Sequence, residues 1–354
     1  MTQFANILAD ITATNSGVEY TLTGDRERAR VHRYHYKPSP RNFSAAFGND
    51  LKTAKPADMR NILGTKSKFT IGFEVEKNEL HRGAVKEYAL FCGFEQDGSC
   101  GYEAVTNILP LVAEGQWRNK VFDMMHKAEK IIDSRYSRAD EYSQTQGSRW
   151  TKLHSCGGHV TLACDGMRSS ELMSKLRKYS GIIYSLYKGR LFNKYCNENL
   201  RMHSDRSGDG YSGYINMQVG RYQVALAKDY GCVEYRIVSK FDSVKQMRER
   251  YELFYMLMDT AINAPSTSFK AFLTKLKPLL VRMYDGDTDA VEERIADAID
   301  FQLWIDKAVI TERTLVHLTR KFEWHGQSQF YNEAAKRKHA ELMGEDHLQR
   351  ALEW

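Results

Sequence analysis

Between positions 69 and 76 the chain alternates strictly. Phe69, Ile71, Phe73 and Val75 are apolar, while Thr70, Gly72, Glu74 and Glu76 are small or polar. A two-residue period predicts a half-buried β-strand, with Phe73 and Val75 toward a core and Glu74 and Glu76 side by side on the other face. Strands are also predicted at 18–22, where the alternation is weak, and at 102–106, 159–162, 214–219 and 231–238. On the third of these His159 and Thr161 share a face. On the last, Glu234 and Arg236 face one way and Val233, Tyr235 and Ile237 the other. Asp97-Gly98 ahead of 102–106 is a turn signal, and Gly157-Gly158 allows a tight turn or a close approach to a ligand.

Helical spacing takes over at 111–135, through Trp117, Val121, Met125, Ala128 and Ile132, and again at 169–188. Ser169 or Ser170 is the expected cap of the second helix, with Glu171 in its first turn. From Asp242 the pattern reads as helical to the end. Asp242 or Ser243 caps the first of these helices, later ones begin near Thr288 and Thr311, and Pro265 and Pro278 punctuate the region. Three parts follow: an extension at 1–66, a strand-rich domain at 67–262, and a helical C-terminal region at 263–354. Residues 137–148 are polar and read as a loop.

Composition narrows the class. With 354 residues, 42% hydrophobic and 27% charged, the chain is an ordinary globular protein able to bury a full core. No apolar run reaches the length of a membrane span, and positions 1–6 lack a basic segment leading into an apolar one. Six cysteines without regular spacing fit reduced thiols and a cytoplasmic location better than a disulfide framework. The net charge of +6 suits a polyanionic partner, nucleotide phosphates included. Within the extension, residues 26–41 interleave arginines with Tyr34 and Tyr36. That pattern serves a nucleic-acid surface or, more simply, a solvated edge strand.

The candidate chemistry lies in the strands. Two adjacent carboxylates repel each other unless a cation stands between them, and hard oxygen ligands suit magnesium or manganese. Glutamates on the solvated side of a sheet are the plainer reading of Glu74 and Glu76 taken alone. Glu103, His159, and Glu234 with Arg236 add one polar group each from later strands. Such a face has the groups needed to hold ATP phosphates through divalent metals, with an arginine for the transferring phosphoryl group. No GxxxxGK[ST] occurs, so a P-loop is excluded.

The order of these motifs resembles the carboxylate–amine ligases, or amidoligases, distant relatives of glutamine synthetase and glutamate–cysteine ligase. The resemblance rests on Gly72-Phe73-Glu74-Val75-Glu76, Asp97-Gly98-Ser99 leading to Gly101-Tyr102-Glu103, and Cys156-Gly157-Gly158-His159-Val160. Arg190 with Tyr195-Cys196, Arg221-Tyr222 and Val233-Glu234-Tyr235-Arg236 complete it. It spans 67–262 and implies an α+β fold: a curved antiparallel sheet of the glutamine synthetase/glutamate–cysteine ligase type, with packed helices and a helical C-terminal region. It also implies ATP and Mg2+ (or Mn2+) as cofactors, with Glu74, Glu76, Glu103, His159 and Glu234 as metal ligands. Arg236, Arg190 and Arg221 would contact phosphates, and Asp97 and Arg236 would serve catalysis. The implied reaction activates a carboxylate as an acyl phosphate, which an amine attacks; peptides and modified polymers are among the family's substrates. A phosphotransferase on the same scaffold and a non-catalytic nucleic-acid-binding protein using residues 26–41 are the alternatives. Two positions depart from the family: Thr161 stands where a second histidine is usual, and no asparagine matches near 224–227.

Overall fold

β1 (Phe69–Lys77) is buried along its entire length, on both faces, so the alternation that predicts a half-buried strand marks two different interiors. The computed structural model describes residues 67–77, 80, 84–85, 87–97, 100–133, 156–192, 224–228, 232–307, 309–322 and 327–330. The strands expected at 18–22 and 214–219, the stretch 26–41, the loop 137–148 and Arg221 lie outside them.

The architecture is α+β. β1 is bonded on both edges and organises an open, antiparallel, seven-stranded sheet ordered β2-β3-β1-β5-β7-β6, with β4 also paired to β1. The partners are β2 (Phe91–Asp97), β3 (Gly101–Thr106), β4 (Leu109–Leu111), β5 (Val160–Cys164), β6 (Ala225–Lys228) and β7 (Cys232–Tyr235). β3 and β4 share one edge of β1, pairing with its second and first halves, and β5 takes the other edge.

Helices cover the apolar face. α1 (Gln116–Lys127) and α2 (Glu129–Ile132) follow β4; α3 (Ser169–Arg177), α4 (Gly181–Leu186) and a 3-10 turn (Lys188–Phe192) follow β5. After β7 come α5 (Val244–Asn263), α6 (Phe269–Met283), α7 (Thr288–Lys307) and α8 (Glu312–Leu318). Phe73 meets Phe241 edge-on at 5.5 Å, and Tyr235 packs on Phe254 of α5 at 5.2 Å. Each such aromatic, buried from water, contributes about 1.5–3 kcal/mol. Tyr251 of α5 pins the helix to the sheet: its hydroxyl donates to the Pro110 carbonyl at 2.6 Å and accepts from the Val112 amide at 2.9 Å. Among the described residues no helix is long and apolar enough to cross a membrane.

Several expectations need correction. The single helix at 169–188 is broken at 178–180, because Gly181 packs so closely on α7 that an added Cβ would come within 2.4 Å of the Ala298 carbonyl oxygen. Its cap is not a serine: Arg168 holds that position without a side-chain bond. Ser243, by contrast, caps α5 by accepting from the Gln246 amide. Pro265 lies between helices, but Pro278 sits inside α6, where Leu276, Leu279 and Leu280 are buried on either side of it. The region is also not helical throughout. β8 (Thr319–Phe322) and β9 (Gln327–Phe330) form an antiparallel hairpin.

Candidate metal and phosphate site

The register of the strands decides which polar groups meet. Glu76 stands opposite Glu103, Glu74 opposite Val105, Gly72 opposite Thr161, and Thr161 opposite Glu234. Directly paired residues share a face. The β1 ladder then runs on past the start of β5, with the Glu74 amide donating to the His159 carbonyl at 3.0 Å and the Glu76 amide to the Gly157 carbonyl at 3.4 Å. Glu74, Glu76, Glu103, His159, Thr161 and Glu234 therefore occupy one face, and all are less than 5% exposed. Solvated surface glutamates they are not.

His159 is the centre of this face. Its Nδ1 lies 2.8 Å from Glu74 Oε2 and 3.7 Å from Glu234 Oε1, and its Nε2 lies 3.4 Å from Glu76 Oε1. A carboxylate only accepts, so without a cation the Glu74 contact puts the ring proton on Nδ1; a cation shared with Glu74 and Glu234 would take that proton's place. Burial holds the histidine pKa below its usual value, and the Arg236 charge adds to this; Glu76 and Glu74 oppose it. The imidazole is thus kept neutral, the form that ligates metals. Arg236 Nη1 donates to Glu234 Oε1 at 2.5 Å.

The glycine pair has a structural cause at each position. A Cβ on Gly157 would lie 3.1 Å from Arg190 Nη2 and His159 Nε2 and 3.3 Å from Glu76 Oε2. The Gly157 amide itself donates to the Glu76 carboxylate. Gly158 faces away from these groups: its Cβ would fall 2.4 Å from the Ser239 carbonyl oxygen and 2.6 Å from the Phe241 ring. Gly157 thus lets the site close up, and Gly158 lets the strand pack.

Arg190 reaches the site from the 3-10 turn, where its Nη1 donates to the Cys156 carbonyl at 3.1 Å. Its turn is tied to α7 by Lys188, whose ammonium contacts Asp297 at 2.7 Å and Glu293 at 2.8 Å. Seven of the expected site residues thus converge: Glu74, Glu76, Glu103, His159, Arg190, Glu234 and Arg236. Asp97 ends β2, paired with Gly101 at the turn of the β2–β3 hairpin. Sequence reasoning missed Cys100, whose Sγ approaches Glu76 and Glu103. Its signal is the glycine after it, since Gly101 takes a positive φ of 112°.

Two groups of ligand atoms lie within 4.8 Å of one another: Glu74 with His159 and Glu234, and Glu76 with Cys100 and Glu103. Four buried carboxylates face two guanidiniums and a neutral imidazole, which leaves a formal surplus of two negative charges. Burying uncompensated charge costs several kcal/mol per ion, so the donor set fits a divalent cation. Thr161 Oγ1 and Arg236 Nε, both buried on this face, have no hydrogen-bond partner among the described residues. That too fits a face shaped around a polar guest. No protein-family model matches the sequence, and no curated protein matches it.

Proposed function

We propose that the chain is an ATP- and magnesium-dependent ligase that joins a carboxylate to an amine. One observation carries this reading: four glutamates and a histidine from distant parts of the chain converge in a buried face bordered by Arg190 and Arg236. The resemblance of the motif order to the amidoligases supplies the reaction class. In it a substrate carboxylate oxygen attacks the γ-phosphorus of ATP, ADP leaves, and the acyl phosphate is attacked by an amine to give an amide and inorganic phosphate.

Glu74, His159 and Glu234 would hold one cation, and Glu76 with Glu103 a second. Such ions neutralise phosphate charge and polarise the transferred group. The chain's own contribution is fixed placement. Arg236, oriented by Glu234, and Arg190, oriented by the Cys156 carbonyl, bring positive charge to the edge of the acid face, where developing negative charge on a phosphoryl group is stabilised. Burial excludes water that would hydrolyse an acyl phosphate. Thr161 offers a hydroxyl in place of a histidine. By the resemblance, Asp97 would lie near the amine or acyl substrate and Arg221 would contact phosphate.

The test is magnesium-dependent binding of a non-hydrolysable ATP analogue, followed by ADP release with pooled amines and carboxylates. We expect Glu74→Ala and Glu234→Ala to abolish binding. Absence of magnesium-dependent binding by the natural protein overturns the reading, and a stable phosphorylated product without an amide reassigns it to phosphotransfer.

A further inference from the structure

Counting back from Glu103, strict alternation puts Cys100 beside Tyr102, on the face opposite the carboxylates. Gly101 breaks that alternation with its positive φ, and Cys100 Sγ comes within 4.8 Å of ligand oxygens of both Glu76 and Glu103. All three residues are buried, and Glu76 and Glu103 are directly paired across β1 and β3. Thr161 and Arg236, more than nine-tenths buried on the same face, carry polar atoms without a hydrogen-bond partner among the described residues. Thr161 pairs with Glu234 and Arg236 bonds it, so these atoms mark the β5–β7 side of the face, whereas Glu76, Cys100 and Glu103 form its β3 side.

We propose that Cys100 is a metal ligand, and that the position formed by Glu76, Cys100 and Glu103 takes a thiophilic divalent ion such as zinc in preference to magnesium. This rests on the cation-binding role proposed for the acid face and goes beyond it in giving its two positions different tastes. Glu74, His159 and Glu234 offer oxygen and nitrogen to a harder ion. Cys100 adds sulfur, which magnesium binds poorly and zinc or cobalt binds well. On binding, the thiol loses its proton to solvent, a sulfur–metal bond forms, and no oxidation state changes.

Cobalt(II) is the probe, because sulfur ligation produces a near-ultraviolet charge-transfer band that oxygen and nitrogen ligands do not, while equilibrium dialysis counts the ions bound. Titrated into the full chain after chelator treatment, it is expected to bind and to give the band. Cys100→Ser and Cys100→Ala should lose the charge-transfer band, keep cobalt bound at the other position, and bind zinc about 10–100-fold more weakly with magnesium affinity little changed. Cobalt bound by dialysis without a charge-transfer band in the natural protein overturns the proposal and leaves the ligase reading standing. So does a band that survives in both variants, which would assign it to another cysteine. No cobalt bound by dialysis overturns the proposal together with the cation-binding role it rests on. The natural protein's spectrum decides even if one variant fails to fold.

Discussion

Gly157 and Gly158 are adjacent in sequence, yet they answer to different neighbours, and substitution should separate them. A methyl group at Gly157 presses on Arg190 and His159 side chains at 3.1 Å, which can shift by a few tenths of an ångström. Gly157→Ala should therefore cost about 1 kcal/mol of stability or less while weakening binding of magnesium and an ATP analogue at least about tenfold. At Gly158 the obstacle is the backbone oxygen of Ser239 at 2.4 Å, which cannot move alone. Gly158→Ala should cost about 1–3 kcal/mol or more, with a lowered melting temperature as its main symptom. Thermal melts alongside binding isotherms distinguish the two; equal effects on both readouts would refute the division. At this scale the sequence is informative about the acids and misleading about the glycines. Alternation alone places Glu74, Glu76, Glu103 and His159 on consistent faces. It cannot show that a glycine pair is required by packing, or that Gly101 turns Cys100 over to the acid side, because both depend on contacts and backbone angles set by distant strands.

β1, β3, β5 and β7 were readable because a two-residue period needs few residues to declare itself, whereas β2, β4 and β6 carry no such period and were not read. The helices expected from Ser243, Thr288 and Thr311 begin where they were read. Failures came where tertiary packing overrode local preference: at Gly181, wedged against α7, and at Pro278, carried inside α6 by its buried neighbours. One link between elements bears directly on the site. The 3-10 turn that delivers Arg190 is anchored by Lys188 to Asp297, a buried carboxylate on α7 that also receives Arg313 from α8 at 3.2 Å and Arg294 at 3.4 Å. Removing one member of a buried charge cluster leaves the others uncompensated. Asp297→Asn should lower stability by about 1–3 kcal/mol and weaken analogue binding through a misplaced Arg190, although Asp297 lies in the helical region outside the strand-rich part. Chemical denaturation and a binding isotherm check both; binding unchanged in a destabilised variant would confine Asp297 to a structural role.

Across the molecule, the side of β1 facing the helices has its own buried charge. Lys77, fully buried, donates to the carbonyls of Ile132 at 2.9 Å and Asp133 at 2.6 Å, beyond α2, and to Phe241 at 3.4 Å before α5. It thereby joins the sheet to two helical segments. Burial pulls its pKa from 10.5 down to about 8, against the pull of nearby anionic groups. The folded chain therefore holds this proton less tightly than the unfolded one. Between about pH 8 and 10.5 the unfolded state binds more protons, so the Lys77 contribution makes stability rise with pH, by about 3 kcal/mol in all. Below pH 8 the full cost of the buried ammonium is present. Lys77→Met should lack this alkaline gain, and the difference between the two urea-unfolding free energies measured from pH 7.5 to about 10 isolates it; parallel curves would show that the carbonyls alone keep the lysine's ordinary affinity for its proton.

β1 lies in the interior of the sheet, and its carboxylates meet a histidine and a glutamate from strands that come much later in the chain. The acid face therefore cannot exist in any early part of the polypeptide. Loop-closure entropy must be overcome across the whole strand-rich region before the first cation has somewhere to sit. On the proposed reading a bound ion would act as a late clasp, contributing little to the rate of finding the fold and much to the time the fold persists once closed. A chain released before Glu234 is made would carry its repelling carboxylates without the later strand that completes their pocket.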